Sequence, residues 1–219
     1  LKPRRSYFDL IDLGLNLARE YGYSNELYTG NFDSDRDNTA LFVSWRGRYG
    51  AQSWAASLRH DDNSQFGGAT TGNLAWGWQA APAWRLRASL GSAFRAPDFN
   101  ELYYPGFEIA PGLFMFAGNP DLDPECSVTA EAGLDWTPQA RSHVGLSLYR
   151  TRVQDLIVFG GDLFDAMNID RANIDGAELE FATGFGNLNL HGNLNWLDAR
   201  NRDTGEALLR RAPRKAALS

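Results

Sequence analysis

Hydrophobic and polar residues alternate one by one along most of this chain. The clearest stretch is 187–196. Asn187, Asn189, His191, Asn193 and Asn195 fall on one side, and Leu188, Leu190, Gly192, Leu194 and Trp196 on the other. Successive side chains of a strand point to opposite faces, so this period predicts a strand with one polar and one apolar surface. The same reading applies to 39–49, where Leu41, Val43, Trp45 and Tyr49 oppose Ser44, Arg46 and Arg48. It applies again to 53–60, 73–80, 84–95, 128–136, 144–150 and 177–183, with weaker candidates at 7–20 and 207–219. Links near 48–53, 80–84, 137–142 and 184–187 are short, and most carry Gly or Pro. They alternate with long polar stretches near 21–37, 61–71, 95–126, 155–172 and 198–206. The pattern predicts an all-β fold, an antiparallel up-and-down meander of about ten strands.

Alternation alone leaves open which face is wet. A soluble β-sandwich alternates too, with its apolar face turned inward. Two features favour a wall section of a transmembrane β-barrel. Trp45, Trp54, Trp76, Trp78, Trp84 and Trp136 lie close to short turns, and Trp196 lies near the opposite end of its strand. Tryptophan collects in this way at a membrane interface. In addition, the mid-strand apolar positions carry few charges, where an Arg or Lys costs roughly 2–4 kcal/mol at the bilayer midplane. The charged residues fall on the other face, where a lumen would solvate them.

Composition narrows the classes. The 219 residues include 13% aromatics, seven Trp and 22 Gly, yet the mean hydropathy is negative. That mixture suits sheets with one greasy face. A formal net charge of -6 argues against a nucleic-acid partner, which usually selects a basic protein. No apolar run approaches the about 20 residues of a membrane helix. No signal peptide is visible at the first residue, Leu1, so a mature chain or a piece of a longer one is expected. Cys126 is the single cysteine and reads as an incidental thiol. His60, His143 and His191 are scattered without metal-ligand spacing, and no nucleophile elbow, phosphate-binding loop or dinucleotide fingerprint is present. No catalytic residue, metal site or cofactor is expected. Asp33, Asp35 and Asp37 lack the Gly and terminal Glu of a calcium loop and read as a solvated loop.

Residues 94–105 read FRAPDFNELYYP, and 118–125 read GNPDLDPE. Taken singly, the prolines explain a hard exit from the sheet and the Asn-Pro and Asp-Pro pairs mark turns. Their order and spacing resemble the paired signature of TonB-dependent outer-membrane receptors. NIDRANIDGAELE at 168–180 and LLRRAPRK at 208–215 resemble later strands of the same family. The likeness runs from about residue 8 to the end. Within the family it points to receptors for cobalamin, through DDNSQFG at 61–67, QDLI at 154–157, DARN at 198–201 and LLRRA at 208–212; siderophore receptors carry looser variants. The resemblance implies a segment, 1–219, of a plugged 22-stranded barrel in the bacterial outer membrane. It implies uptake of cobalamin or a similar large chelate, captured by external loops 95–126 and 155–172. The partners it implies are that ligand, the lipid bilayer, and the TonB complex reached through a plug. Plug, early strands, with the family's calcium loops, and C-terminal strand are expected to lie outside this stretch. One site residue carries over, Arg210, as a ligand contact at the lumen mouth; a solvated wall charge is the plainer alternative. A siderophore receptor, a passive porin and a soluble β-sandwich module remain the rival readings.

Overall fold

The computed structural model describes residues 8–26, 30–208 and 211–219. Ten strands form one antiparallel sheet, in the order β1 (Phe8–Glu26), β2 (Gly30–Tyr49), β3 (Gln52–Asn63), β4 (Gly67–Ala81), β5 (Trp84–Arg95), β8 (Glu125–Gln139), β9 (Ser142–Gly160), β10 (Asp165–Phe185), β11 (Leu188–Asn201) and β12 (Arg214–Leu218). Each pairs with its sequence neighbour, which is the predicted meander. Between β5 and β8 the chain forms a one-turn helix, α1 (Phe99–Tyr103), and a small hairpin, β6 (Phe107–Ala110) with β7 (Leu113–Met115). No described helix is long and apolar enough to cross a membrane.

At one end of the sheet the links 50–51, 82–83, 140–141 and 186–187 are two residues long. Gly50 and Gly186 supply the positive φ that such tight turns require. These are the four predicted short links. At the other end, three of the predicted long loops are largely strand instead. β1 and β2 pair as far as Glu26 and Gly30, β3 and β4 as far as Asn63 and Gly67, and β9 and β10 as far as Gly160 and Asp165. Strands of 19 to 21 residues exceed the about 9–11 that span a bilayer. The outer halves of β1 and β2 carry charged residues on both faces, as at Arg19 and Glu20 or Asp35 and Arg36, and that of β9 runs apolar without a break from Leu156 to Phe159, so the alternation fades while backbone pairing continues. Asp33, Asp35 and Asp37 accordingly sit on β2, not in a loop, and Arg19 pairs with Asp35 at 2.7 Å. The weak candidate at 207–219 shrinks to the five residues of β12.

Register joins the apolar positions into continuous rows. Leu86, Leu134, Leu146, Leu179 and Leu194 lie side by side across β5, β8, β9, β10 and β11. The opposite face carries the row Arg87, Gly133, Ser147, Glu178, Asn195 and Lys215. Among the described residues, nothing packs over the apolar face. Leu13 is 79% exposed, Leu148 53% and Leu194 51%. Trp54 is exposed, and Leu86 and Leu190 are half-exposed. A sandwich core beneath these residues is thereby excluded. Trp54 and Trp76 lie 6.2 Å apart, and Trp84 stacks on Trp136 at 5.5 Å, forming a belt near the short turns. Towards the far end the same face turns charged at Arg150, Asp175 and Asp198, with Arg150 bonded to Asp175. From Val128 to Trp136, eight rises of about 3.4 Å tilted by about 40° give a band roughly 21 Å tall, close to the ~25 Å of membrane barrels.

The buried residues gather elsewhere, on the polar face at the far end. One cluster unites Leu102, Leu122, Ile157 and Ala166, with Phe66, Tyr103 and Phe159 against it. A second comprises Val153, Leu156 and Ala172. These contacts show that the sheet is rolled. The single turn α1 meets β2 through Phe99 and β10 through Leu102. β2 and β10 are six strand spacings apart, roughly 29 Å if the sheet were flat. The polar face is therefore the inside of a trough, with α1 lying in its mouth.

Candidate functional site

The mouth is built from the two motif segments. Arg95 ends β5 and Glu125 opens β8. Arg95 Nε donates to Glu125 Oε2 at 2.8 Å, and its Nη1 donates to Glu101 Oε2 at 2.9 Å. Asp98 caps α1: Glu101 N donates to Asp98 Oδ1, and Asp98 N donates to Glu101 Oε2, both at 2.8 Å. This reciprocal box satisfies donors that a helix start leaves orphaned. Gly118 then approaches the end of α1 so closely that a Cβ would lie 2.8 Å from the backbone of Leu102, Tyr103 and Tyr104. Asn119 N donates to Glu101 O at 2.8 Å, and Leu122 buries itself beside Leu102. The two halves of the signature thus lock onto one another. Read alone, they seemed to encode turns.

The lock is fastened to both walls. Arg36 of β2 is buried; it pairs with Glu20 at 2.6 Å, donates to Pro97 O at 2.7 Å, and stands 4.8 Å from the Phe99 ring. Gly22 leaves the space that ring fills, for a Cβ there would meet it at 2.3 Å. On the other side, Ala117 N donates to Asp165 Oδ1 at 2.8 Å, and Ala166 N donates to Ala117 O at 2.9 Å. Asn168 Nδ2 donates to the carbonyls of Asp123 and Asp155 at 3.0 and 2.7 Å.

Between these anchors the loop presents aromatic surface. Phe107 packs edge-on against Tyr104 at 5.7 Å, and Phe116 stacks on Phe164 at 5.6 Å. Phe107, Ile109, Leu113, Phe114, Phe164 and Met167 are all exposed. A cleft of about 600 Å³ opens among Tyr23, Asn100, Tyr104, Phe107, Phe116 and Phe159. Phe116 and Phe164 adopt φ of 58° and 54°, a region that bulky residues rarely occupy and that concentrates at functional sites. An exposed aromatic surface over a polar trough can hold a large ligand with flat or apolar faces. The sequence places capture at 95–126 and 155–172 but singles out none of these residues, although Tyr103, Tyr104, Phe107, Phe114 and Phe116 crowd into one loop. Arg210, the predicted contact, lies outside the described residues; Leu208, just before it, packs against the second buried cluster.

Glu125 lies beyond the apolar band. Burial pushes its carboxyl up, but the Arg95 guanidinium and the Ile157 amide, which donates to Oε1 at 2.8 Å, outweigh this and hold it below the ordinary range. A lowered folded value contributes stability that is complete above the unfolded pKa, roughly 4.3, and is lost as pH falls through the folded value. Protection of the Phe99–Tyr103 amides from hydrogen exchange, taken relative to the intrinsic rate at each pH, should therefore hold at pH 5 and fall only below about pH 4. Release already at pH 6 would show that this latch does not hold the loop.

Residues 5–219 match the family described as "TonB dependent receptor-like, beta-barrel", and the chain belongs to it. Among curated relatives, the vitamin B12 transporter BtuB of Vibrio vulnificus is 31% identical over 207 residues, covering 92% of this chain and 31% of that protein. BtuB of Photobacterium profundum is 30% identical over 212 residues, covering 93% of this chain and 33% of the relative. The chain thus spans about a third of the length of these relatives. Among solved structures, a mutant of the ferric enterobactin receptor PfeA of Pseudomonas aeruginosa, in complex with enterobactin, superposes with a TM-score of 0.79 at 18% identity, over 97% of this chain and 36% of that one. The siderophore receptor PirA of Acinetobacter baumannii gives 0.78 at 17% identity, over 96% and 37%. These likenesses establish the fold.

Proposed function

We propose that residues 1–219 form wall and external mouth of an outer-membrane receptor that takes up cobalamin or a similar large chelate. The observation that carries this reading is the continuous apolar face, bare on all ten strands, opposite a polar trough whose mouth is closed by an anchored aromatic loop. A bare face of this size in water would drive aggregation, and in lipid it needs no partner. The segment is a binding and transport element and not an enzyme. Coupling to TonB, on this reading, runs through a plug that the wall encloses. The curated relatives at 30–31% identity favour cobalamin over a siderophore.

The test uses the receptor at its full natural length in detergent, titrated with cyanocobalamin and separately with a ferric catecholate siderophore. Cyanocobalamin is expected to bind, and the double variant Phe107→Ser with Phe114→Ser to bind at least about tenfold more weakly, since losing aromatic contact area removes a few kcal/mol. Binding of the siderophore alone would replace the ligand assignment while leaving the receptor reading in place.

A further inference from the structure

On the polar face near the short turns, Asp135 of β8, His143 of β9 and Glu180 of β10 each bring a ligand atom within 4.8 Å of the others. Register explains the convergence. Asp135 and Glu180 both stand opposite Gly145, where a Cβ would lie 2.8 Å from Glu180 Oε1 and 3.2 Å from His143 Nε2. Glycine there keeps open the space into which both donors turn. His143 and His191 both pair with Ala182, from β9 and β11. A cleft of about 320 Å³ is lined by both imidazoles and by Glu180.

We propose that Asp135, His143 and Glu180, with His191 as fourth donor, bind a divalent transition-metal ion of the zinc class and staple β8 to β11 from inside the trough. A mixed imidazole and carboxylate set suits zinc and its neighbours, whereas calcium and magnesium demand a larger all-oxygen shell. Thr137 Oγ1 lies 3.4 Å from His143 Nδ1, placed to accept its proton while Nε2 faces the ion, the orienting contact that metal-bound histidines use. Nε2 is now 3.2 Å from Glu180 Oε1, so binding exchanges that contact for two bonds to metal. The nearby cations are accounted for. Arg87 Nε is 3.4 Å from Asp135 Oδ2, but its terminal nitrogens are held by Glu131 and Ser147. Arg141 donates to Gly186 O and Asn189 Oδ1, and Arg85 lines the adjoining cleft.

The experiment takes the full-length receptor in detergent, strips it with a chelator, and titrates it with Zn²⁺ against a coloured indicator and with Co²⁺ for its ligand-field spectrum. One tight ion per receptor is expected, with a tetrahedral or five-coordinate cobalt spectrum. His143→Ala and Glu180→Gln should each weaken Zn²⁺ by about tenfold or more. His60→Ala, on the opposite face and bonded to Thr70 Oγ1, should change nothing. Circular dichroism of each variant establishes that the sheet is intact; Glu180→Gln stands in should His143→Ala misfold. Folded receptor that takes up no Zn²⁺, or uptake that survives both substitutions, overturns the site.

Discussion

Leu146→Arg is expected to destabilise the receptor in its membrane by about 2–4 kcal/mol, whereas Asn193→Arg should stay within about 0.5 kcal/mol. The two positions lie on opposite faces at a similar height. Leu146 is the middle of a five-leucine row and has no protein over it. Asn193 is exposed on the polar side, opposite Glu180. In a water-soluble sheet both would be tolerated, because both side chains would reach solvent. Facing lipid, an arginine at 146 must snorkel or remain partly dehydrated. Urea unfolding in lipid vesicles measures the difference. Equal values would mean that the apolar face does not meet hydrocarbon.

Leu102→Ala should free the loop without unfolding the wall. Leu102 is 1% exposed and joins Leu122, Ile157 and Ala166. Deleting a buried leucine costs about 2–5 kcal/mol, the spread reflecting how far the cavity collapses. Here the loss falls on a local unit, since the ten-stranded sheet makes no use of this contact in its ladder. A penalty of that size raises the population of the open loop roughly thirtyfold or more. Proteolysis within Phe107–Met115 should accelerate accordingly, and ligand affinity should fall, while the thermal unfolding of the sheet changes little. Cleavage at the wild-type rate would mean that the loop is held by its hydrogen bonds alone.

Period-2 alternation makes the wall legible in the sequence, because a strand with lipid on one side and water on the other must alternate. It does not reveal the outer halves of β1 and β2. Residues such as Glu20, Arg36, Asp35 and Arg19 are polar on either face, so the signal vanished where the strands continued. The motif at 94–125 was visible, but its purpose was not. Gly118 looks like a turn glycine, and only the close approach to α1 shows why no larger residue fits. His143 and His191 are separated along the chain and looked unrelated. They face one another across Ala182 because β10 lies between their strands, a juxtaposition that depends on register.

The most direct test follows alternation along a strand of the full-length receptor in vesicles. With Cys126 first replaced by serine, spin labels go singly at Leu190, Asn193, Leu194 and Asn195, and collisions with oxygen and with a water-soluble nickel chelate are compared. Labels at 190 and 194 should meet oxygen and be shielded from nickel, and those at 193 and 195 should show less contact with oxygen. The same profile at all four positions, or the inverse one, would contradict a wall that turns its leucines to lipid.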